Sequence, residues 1–115
     1  MSTRKPSEIY RSEKQQPAPS TSDLTIVGEK VPTGKAVLIE TFFAIDQTTA
    51  NKTLRLGYDR GGTKFWIKRA AAGSGIYGLA LDRPLYLVEN EAPAIMIESP
   101  TTGDVCLLVA RGEFL

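Results

Sequence analysis

The alternation of apolar and polar residues changes kind at Asp23. Residues 1–23 (MSTRKPSEIYRSEKQQPAPSTSD) are polar and punctuated by Pro6, Pro17 and Pro19, with Met1, Ile9 and Tyr10 as their only sizeable apolar side chains. From Leu24 onward, short β-branched and aromatic runs alternate with clusters of Gly, Pro, Asn and Asp, which is how strands joined by turns read. Residues 24–27 (LTIV) form a first strand, and Val31-Pro32-Thr33-Gly34 a turn. Residues 35–45 (KAVLIETFFAI) are the longest apolar run, too β-branched and too poor in caps for a helix. Residues 53–59 (TLRLGYD) alternate, with Leu54, Leu56 and Tyr58 to one side and Thr53, Arg55 and Asp59 to the other. Asp59-Arg60-Gly61-Gly62 signals a hairpin, from which 63–68 (TKFWIK) returns with Phe65 and Ile67 opposite Trp66. Strands at 84–88, 94–98 and 105–111 follow, separated by loops at 70–78, 89–93 and 99–104. Roughly six to eight short strands without helical period predict an all-β fold, an antiparallel β-sandwich or jelly-roll-like domain over residues 24–115, carrying residues 1–23 as an extended N-terminal arm.

The arm has too little apolar surface to offset roughly 1–2 kcal/mol of backbone entropy per ordered residue, so it is expected to order only on a partner. Ile9 and Tyr10 are either a chance apolar pair or an anchor that fills a pocket on a neighbouring subunit. SEIYRSEK has the makings of a short docked helix capped by Ser7, and 15–20 (QQPAPS) reads as a polyproline-like linker.

Composition narrows the function. The 115 residues suffice for one core. Net charge is +1, with four Lys/Arg against three Asp/Glu in the arm and ten against ten in the domain, so neither part has the basic excess of a strong nucleic-acid binder. The chain has no histidine, which removes the commonest general base and metal ligand. Its single cysteine, Cys106, lies in an apolar run and is expected to be a buried, inert thiol; no cofactor and no metal are expected. No apolar stretch approaches the about 18 residues of a membrane helix, and Arg4 and Lys5 precede no apolar signal segment, so synthesis in the cytoplasm is expected.

The remaining motifs reduce to structure. Arg60-Gly61-Gly62 lacks the context of a phosphate loop, and Gly73-Ser74-Gly75 lacks the histidine partner a serine nucleophile needs. Glu89, Glu91 and Asp104 read as turn residues, while Glu40 and Glu98 sit within apolar runs and are the least improbable acid pair for hydrolysis. Arg60, Lys64, Lys68 and Arg69 surround Trp66 as a basic-aromatic hairpin that could clamp single-stranded nucleic acid or sugar, although the balancing acids favour partner contact or edge protection. No catalytic residues are expected, and the chain is read as a binding protein and not an enzyme.

The chain from Val31 to Phe114 resembles the capsid decoration, or cement, proteins of tailed bacteriophages. The resemblance is carried by Val31-Pro32-Thr33-Gly34-Lys35 before a long strand and by the 54–58 strand followed by Arg60-Gly61-Gly62 and Phe65-Trp66. It continues through Arg83-Pro84-Leu85-Tyr86-Leu87 and Gly103-Asp104-Val105. It implies a structural virion protein, without catalysis or cofactor, bound in many copies to the major capsid protein on the outside of a shell, and also to copies of itself, often as trimers. The expected partner-binding residues are Ile9 and Tyr10 as anchors, Arg4, Lys5 and Arg11 as pairs for capsid acids, and Arg60, Lys64, Trp66 and Lys68 on the hairpin. A carbohydrate- or receptor-binding module of a tail or fibre is the alternative.

Overall fold

The computed structural model describes residues 8–115. Its strands are β1 (Ile9–Pro17), β2 (Leu24–Val27), β3 (Ala36–Asp46), β4 (Thr53–Arg60), β5 (Thr63–Ala71), β6 (Gly78–Ala80), β7 (Leu85–Val88), β8 (Glu91–Glu98) and β9 (Val105–Phe114). They form two antiparallel sheets. The first runs β1-β9-β3, with β7 and β6 both against the free side of β3; the second runs β2-β8-β4-β5. We call them the β3 sheet and the β4 sheet.

The pairs β1·β9, β2·β8, β3 with β6 and β7, and β4·β5 nest inside one another. The chain is thus one long hairpin folded back at Gly61-Gly62, its successive pairs assigned alternately to the two sheets, which is the winding of a jelly roll. Both hinge glycines have positive φ, 59° and 92°, as a tight hairpin turn of this hand requires. The expected all-β sandwich is therefore what the chain forms.

The core lies between the sheets. Val37, Ile39, Leu87 and Leu108 meet Leu54, Leu56, Ile95 and Ile97, all essentially inaccessible to solvent. Along β3 the inward set is Val37 and Ile39, then Phe42 and Ala44. The change of parity comes from a bulge between Ile39 and Thr41, which adds one residue and restores the inward face beyond it.

The amino-terminal segment departs from expectation. Residues 9–17 are an edge strand of the β3 sheet and not an arm beside it, in register with β9 from Ile9↔Glu113 to Pro17↔Val105. Two side chains hold it there. The buried Tyr10 hydroxyl donates to the Glu29 carbonyl at 2.6 Å, and the buried Ser12 hydroxyl accepts the Glu29 N–H at 2.9 Å. Both backbone groups of Glu29 are thereby satisfied from β1. The docked helix expected over SEIYRSEK is a strand from Ile9 onward, with Ser7 outside the described residues, and Gln15-Gln16-Pro17 finish β1 rather than forming a linker. Beyond it, Ala18 donates to the Asp104 carbonyl at 2.7 Å and accepts from Gly103 at 2.8 Å.

Candidate functional site

Strand register fixes which side chains of the β3 sheet face away from the core. They fall in rows: Ile9, Glu113, Leu38 and Tyr86; then Arg11, Arg111 and Thr41; then Glu13, Val109, Phe43 and Ala80; then Gln15, Leu107, Ile45 and Gly78. Phe43, Ile45 and Leu107, each half-buried, therefore make an outward-facing apolar block around Val109, which they leave only 5% exposed. Gly78 and Ala80 beside it leave the surface low towards the sheet edge. At the opposite end Leu38 adjoins Tyr86, 57% exposed, with Ile9 at 37% and Val88 at 38% nearby in the same layer. A polar band crosses between the two clusters, where Arg111 Nη2 meets Glu13 Oε1 at 2.7 Å. An apolar centre interrupted and rimmed by paired charges is the make-up of a surface that another protein covers.

The outward face of the β4 sheet is built differently, because its charges are engaged with one another. Arg55 and Arg69 converge on Glu98 at 2.7 and 2.6 Å. The Arg69 hydrogen bond first, and Arg55 after it, hold this carboxyl down to about 2. A folded-state pKa below the unfolded one gives stability that is present above the ordinary carboxylate range and is lost as pH falls towards about 2. Glu98→Gln should remove that limb from an acid titration of the urea midpoint; an unchanged acid limb would show that the clamp contributes nothing.

The residues expected to bind a partner disperse in the fold. Arg4 and Lys5 lie outside the described residues. Ile9 and Tyr10 point to opposite sides of β1: Ile9 is on the outward face, whereas Tyr10 is 3% exposed and inside the chain's own core, so it is no anchor for another subunit. Its phenol is pushed well up by burial, and it stacks edge-on to Phe114. Arg11 is exposed on the outward face of the β3 sheet.

On the β4–β5 hairpin, Arg60 makes two hydrogen bonds to Oε2 of the buried Glu91 and lies over the rings of Tyr58 and Phe65. Lys64 pairs with Asp59 at 2.9 Å, and Lys68 donates to the Ala80 carbonyl at 2.9 Å. Trp66 is half-buried opposite Gly57. The cations expected to reach a partner are thus paired within their own domain, and the exposed large apolar side chains of the hairpin are Phe65 and Ile67, at 40% and 46%. Glu40 and Glu98, the suspected acid pair, sit on different sheets. Cys106 is buried, its thiol pushed up to about 12 by desolvation and by the neighbouring Asp46 and Asp104.

Sequence reasoning passed over Leu38, Phe43, Ile45, Leu107 and Val109 as site residues, although the signal was present. A strand in a two-layer sandwich has one side to bury, yet 36–45 and 105–109 are apolar at both parities.

No protein-family model matches the chain, and no curated protein matches it. Among solved structures it is similar to the Drosophila NLP core, a structure concerned with pentamer formation and histone binding, at 11% identity and a TM-score of 0.40, over 90% of this chain and 98% of that one. It is also similar to part of dimeric latent PorU from Porphyromonas gingivalis, at 14% identity and a TM-score of 0.28, over 92% of this chain and 13% of that one. Neither likeness bears on function.

Proposed function

We propose that this chain is a structural binding subunit that lays the outward face of its β3 sheet on other protein subunits, and that those subunits are the major capsid protein of a tailed-phage shell. The observation that carries the binding reading is the contrast between the two outward faces. One holds the half-buried Phe43, Ile45 and Leu107 as an apolar block around the buried Val109; the other is crossed by internal ion pairs. The decoration reading adds the resemblance of the turn-and-strand order to cement proteins. Its mechanism is mass action: a face that fits only the assembled lattice stabilises the assembly over its free subunits, and many copies multiply a modest interface. The chain would then reside on the exterior of the virion, beside further copies of itself.

The test is co-sedimentation with shells that lack the protein, using Phe43→Glu and Leu107→Glu. Both side chains are only half-buried in the free chain, so the variants should keep the urea midpoint close to that of the parent. Each should weaken binding about 30-fold, the loss of a central interface residue worth about 2 kcal/mol. Undiminished binding of both variants would remove the β3 face from the interface. Failure of the parent protein to sediment with shells at a defined copy number would remove the decoration reading, and glycan binding by the isolated chain would favour a receptor module instead.

A further inference from the structure

We infer that Asp46 and Asp104 share one proton, held on Asp46, and that this buried acid pair is a pH-sensitive latch closing the end of the sandwich where three loops meet. Asp46 ends β3 and Asp104 precedes β9, and the two are 0% and 1% exposed. Their four carboxyl oxygens are supplied unequally. Asp46 Oδ1 accepts the N–H groups of Thr48 and Thr49, each at 3.0 Å. Asp104 Oδ1 accepts the Thr49 hydroxyl at 2.8 Å, and its Oδ2 accepts the Thr101 N–H at 2.9 Å. Of the four, Asp46 Oδ2 alone has no donor among the described residues. A buried ionised carboxylate with an orphaned oxygen is costly, and a carboxylic acid in the same place is not, because it can donate to the acceptor beside it.

The donor arrangement assigns the proton. Asp104 already receives a hydroxyl and an amide, so it is the better-stabilised anion, and Asp46 is the acid that hydrogen-bonds to it. Burial and the bond to Asp104 push Asp46 above the ordinary carboxylate range, against the two threonine amides. Burial works to raise Asp104 too, but the bonds from Asp46, Thr49 and Thr101 hold it below that range. Hydrogens, not lone pairs, point at Asp104 from Thr49 and Thr101, so the pair suits a proton better than a metal cation.

The latch joins loops from both sheets. Thr48 and Thr49 belong to the β3–β4 loop and Thr101 to the β8–β9 loop; the Asp104 carbonyl takes the Ala18 N–H from the β1–β2 loop at 2.7 Å. The other titratable neighbours do not interfere. Cys106, whose thiol faces the Asp104 carbonyl, stays protonated up to about 12. The Lys52 charge favours the Asp104 anion, and its ammonium donates to the Ser99 carbonyl at 2.9 Å.

The sign of the pH dependence follows from the two directions. Asp46, raised in the folded state, contributes stability that is present below the unfolded pKa and is lost as pH rises through its folded pKa. Asp104, lowered, contributes stability that is present above the unfolded pKa and is lost as pH falls through its folded pKa. The parent protein should therefore show a urea midpoint that declines as pH rises out of the ordinary carboxylate range, from about pH 4, and levels off above the folded Asp46 transition, read up to about pH 9.

The measurement is that midpoint in the parent, Asp46→Asn and Asp104→Asn, with a carboxyl 13C titration of the parent. Asp46→Asn places an N–H where the acid proton was, so it should match the parent at the low end and lose the alkaline decline. Asp104→Asn turns an amide towards donors and should lower the midpoint at every pH. In the parent one of the two carboxyls should remain protonated above the ordinary carboxylate range. Equal losses in both variants, an alkaline decline that survives Asp46→Asn, or an Asp46→Asn chain that does not fold would each overturn the assignment. So would two carboxyls that titrate normally in the parent. A parent midpoint raised by calcium chloride would make the pair a cation site instead of a proton latch.

Discussion

A chain that lacks residues 1–18 should not reach a unique folded state, although composition alone would class that segment as dispensable. Removing it strips β9 of a partner along the whole of β1, Ile9 to Pro17. Cys106, Leu108 and Ala110, each fully buried, would then lie at a newly opened edge. The Tyr10 and Ser12 bonds to Glu29 and the Ala18 bonds to the 103–104 backbone go with it. At about 1 kcal/mol per net hydrogen bond and about 1.5–3 kcal/mol for a buried large side chain, the loss is comparable to the about 5–15 kcal/mol that holds a domain of this size together. Near-ultraviolet circular dichroism should lose its fixed aromatic signal and urea unfolding its cooperativity, and a synthetic 1–18 peptide added in trans should restore both. A sharp unfolding transition in the truncated chain would show that β1 is an appendage after all. Point variants separate the two halves of the apolar pair: Tyr10→Ala should cost about 3 kcal/mol as a core truncation, whereas Ile9→Ser should leave stability nearly unchanged.

The body of the fold was readable because its signals are local. Leu54, Leu56 and Tyr58 alternate with polar neighbours, and the Gly61-Gly62 turn declares its hairpin, so β4 and the start of β5 follow from short-range chemistry. What was not readable is non-local. β1 buries only Tyr10 and Ser12, too little apolar surface to announce a strand, and its stability comes from a ladder to β9 at the far end of the chain. β6 is a short piece, Gly78–Ala80, that pairs only because Ile45 offers a free edge. The same limit governs the site. Arg60, Lys64 and Lys68 look free in a linear reading because Glu91, Asp59 and the Ala80 carbonyl meet them only through folding. The outward apolar block could have been found, since 36–45 and 105–109 carry large apolar residues at both parities, but only once the domain is taken as two layers with one core between them.

Gly112→Ala should be among the most damaging single substitutions in the domain, and the cause lies in the bulge that keeps β3 facing inward. Gly112 stands between Tyr10 on one side and Ile39 on the other, directly before the register shift between Ile39 and Thr41. A Cβ at this position would overlap the Leu38 carbonyl oxygen and come within 2.7 Å of the Ile39 Cα. Both are backbone atoms, so no rotamer change relieves the clash; β3 or β9 must move. Overpacking that side chains can absorb costs about 1–3 kcal/mol, which makes about 3 kcal/mol or more the expectation here. Gly103→Ala supplies the control. Gly103 has φ +88°, and a methyl group there would meet nothing within 4 Å, so the variant should incur only the left-handed backbone penalty of about 1–2 kcal/mol. Urea midpoints should therefore fall in the order parent, Gly103→Ala, Gly112→Ala. Equal midpoints for the two variants would mean that the β3–β9 approach is slack. The substitution also reaches the proposed docking face, because the spacing of β3 and β9 sets Phe43 against Val109 and Ile45 against Leu107. Under conditions where Gly112→Ala remains folded, it should bind shells more weakly than Gly103→Ala does, since only the former disturbs the strands that carry the apolar block.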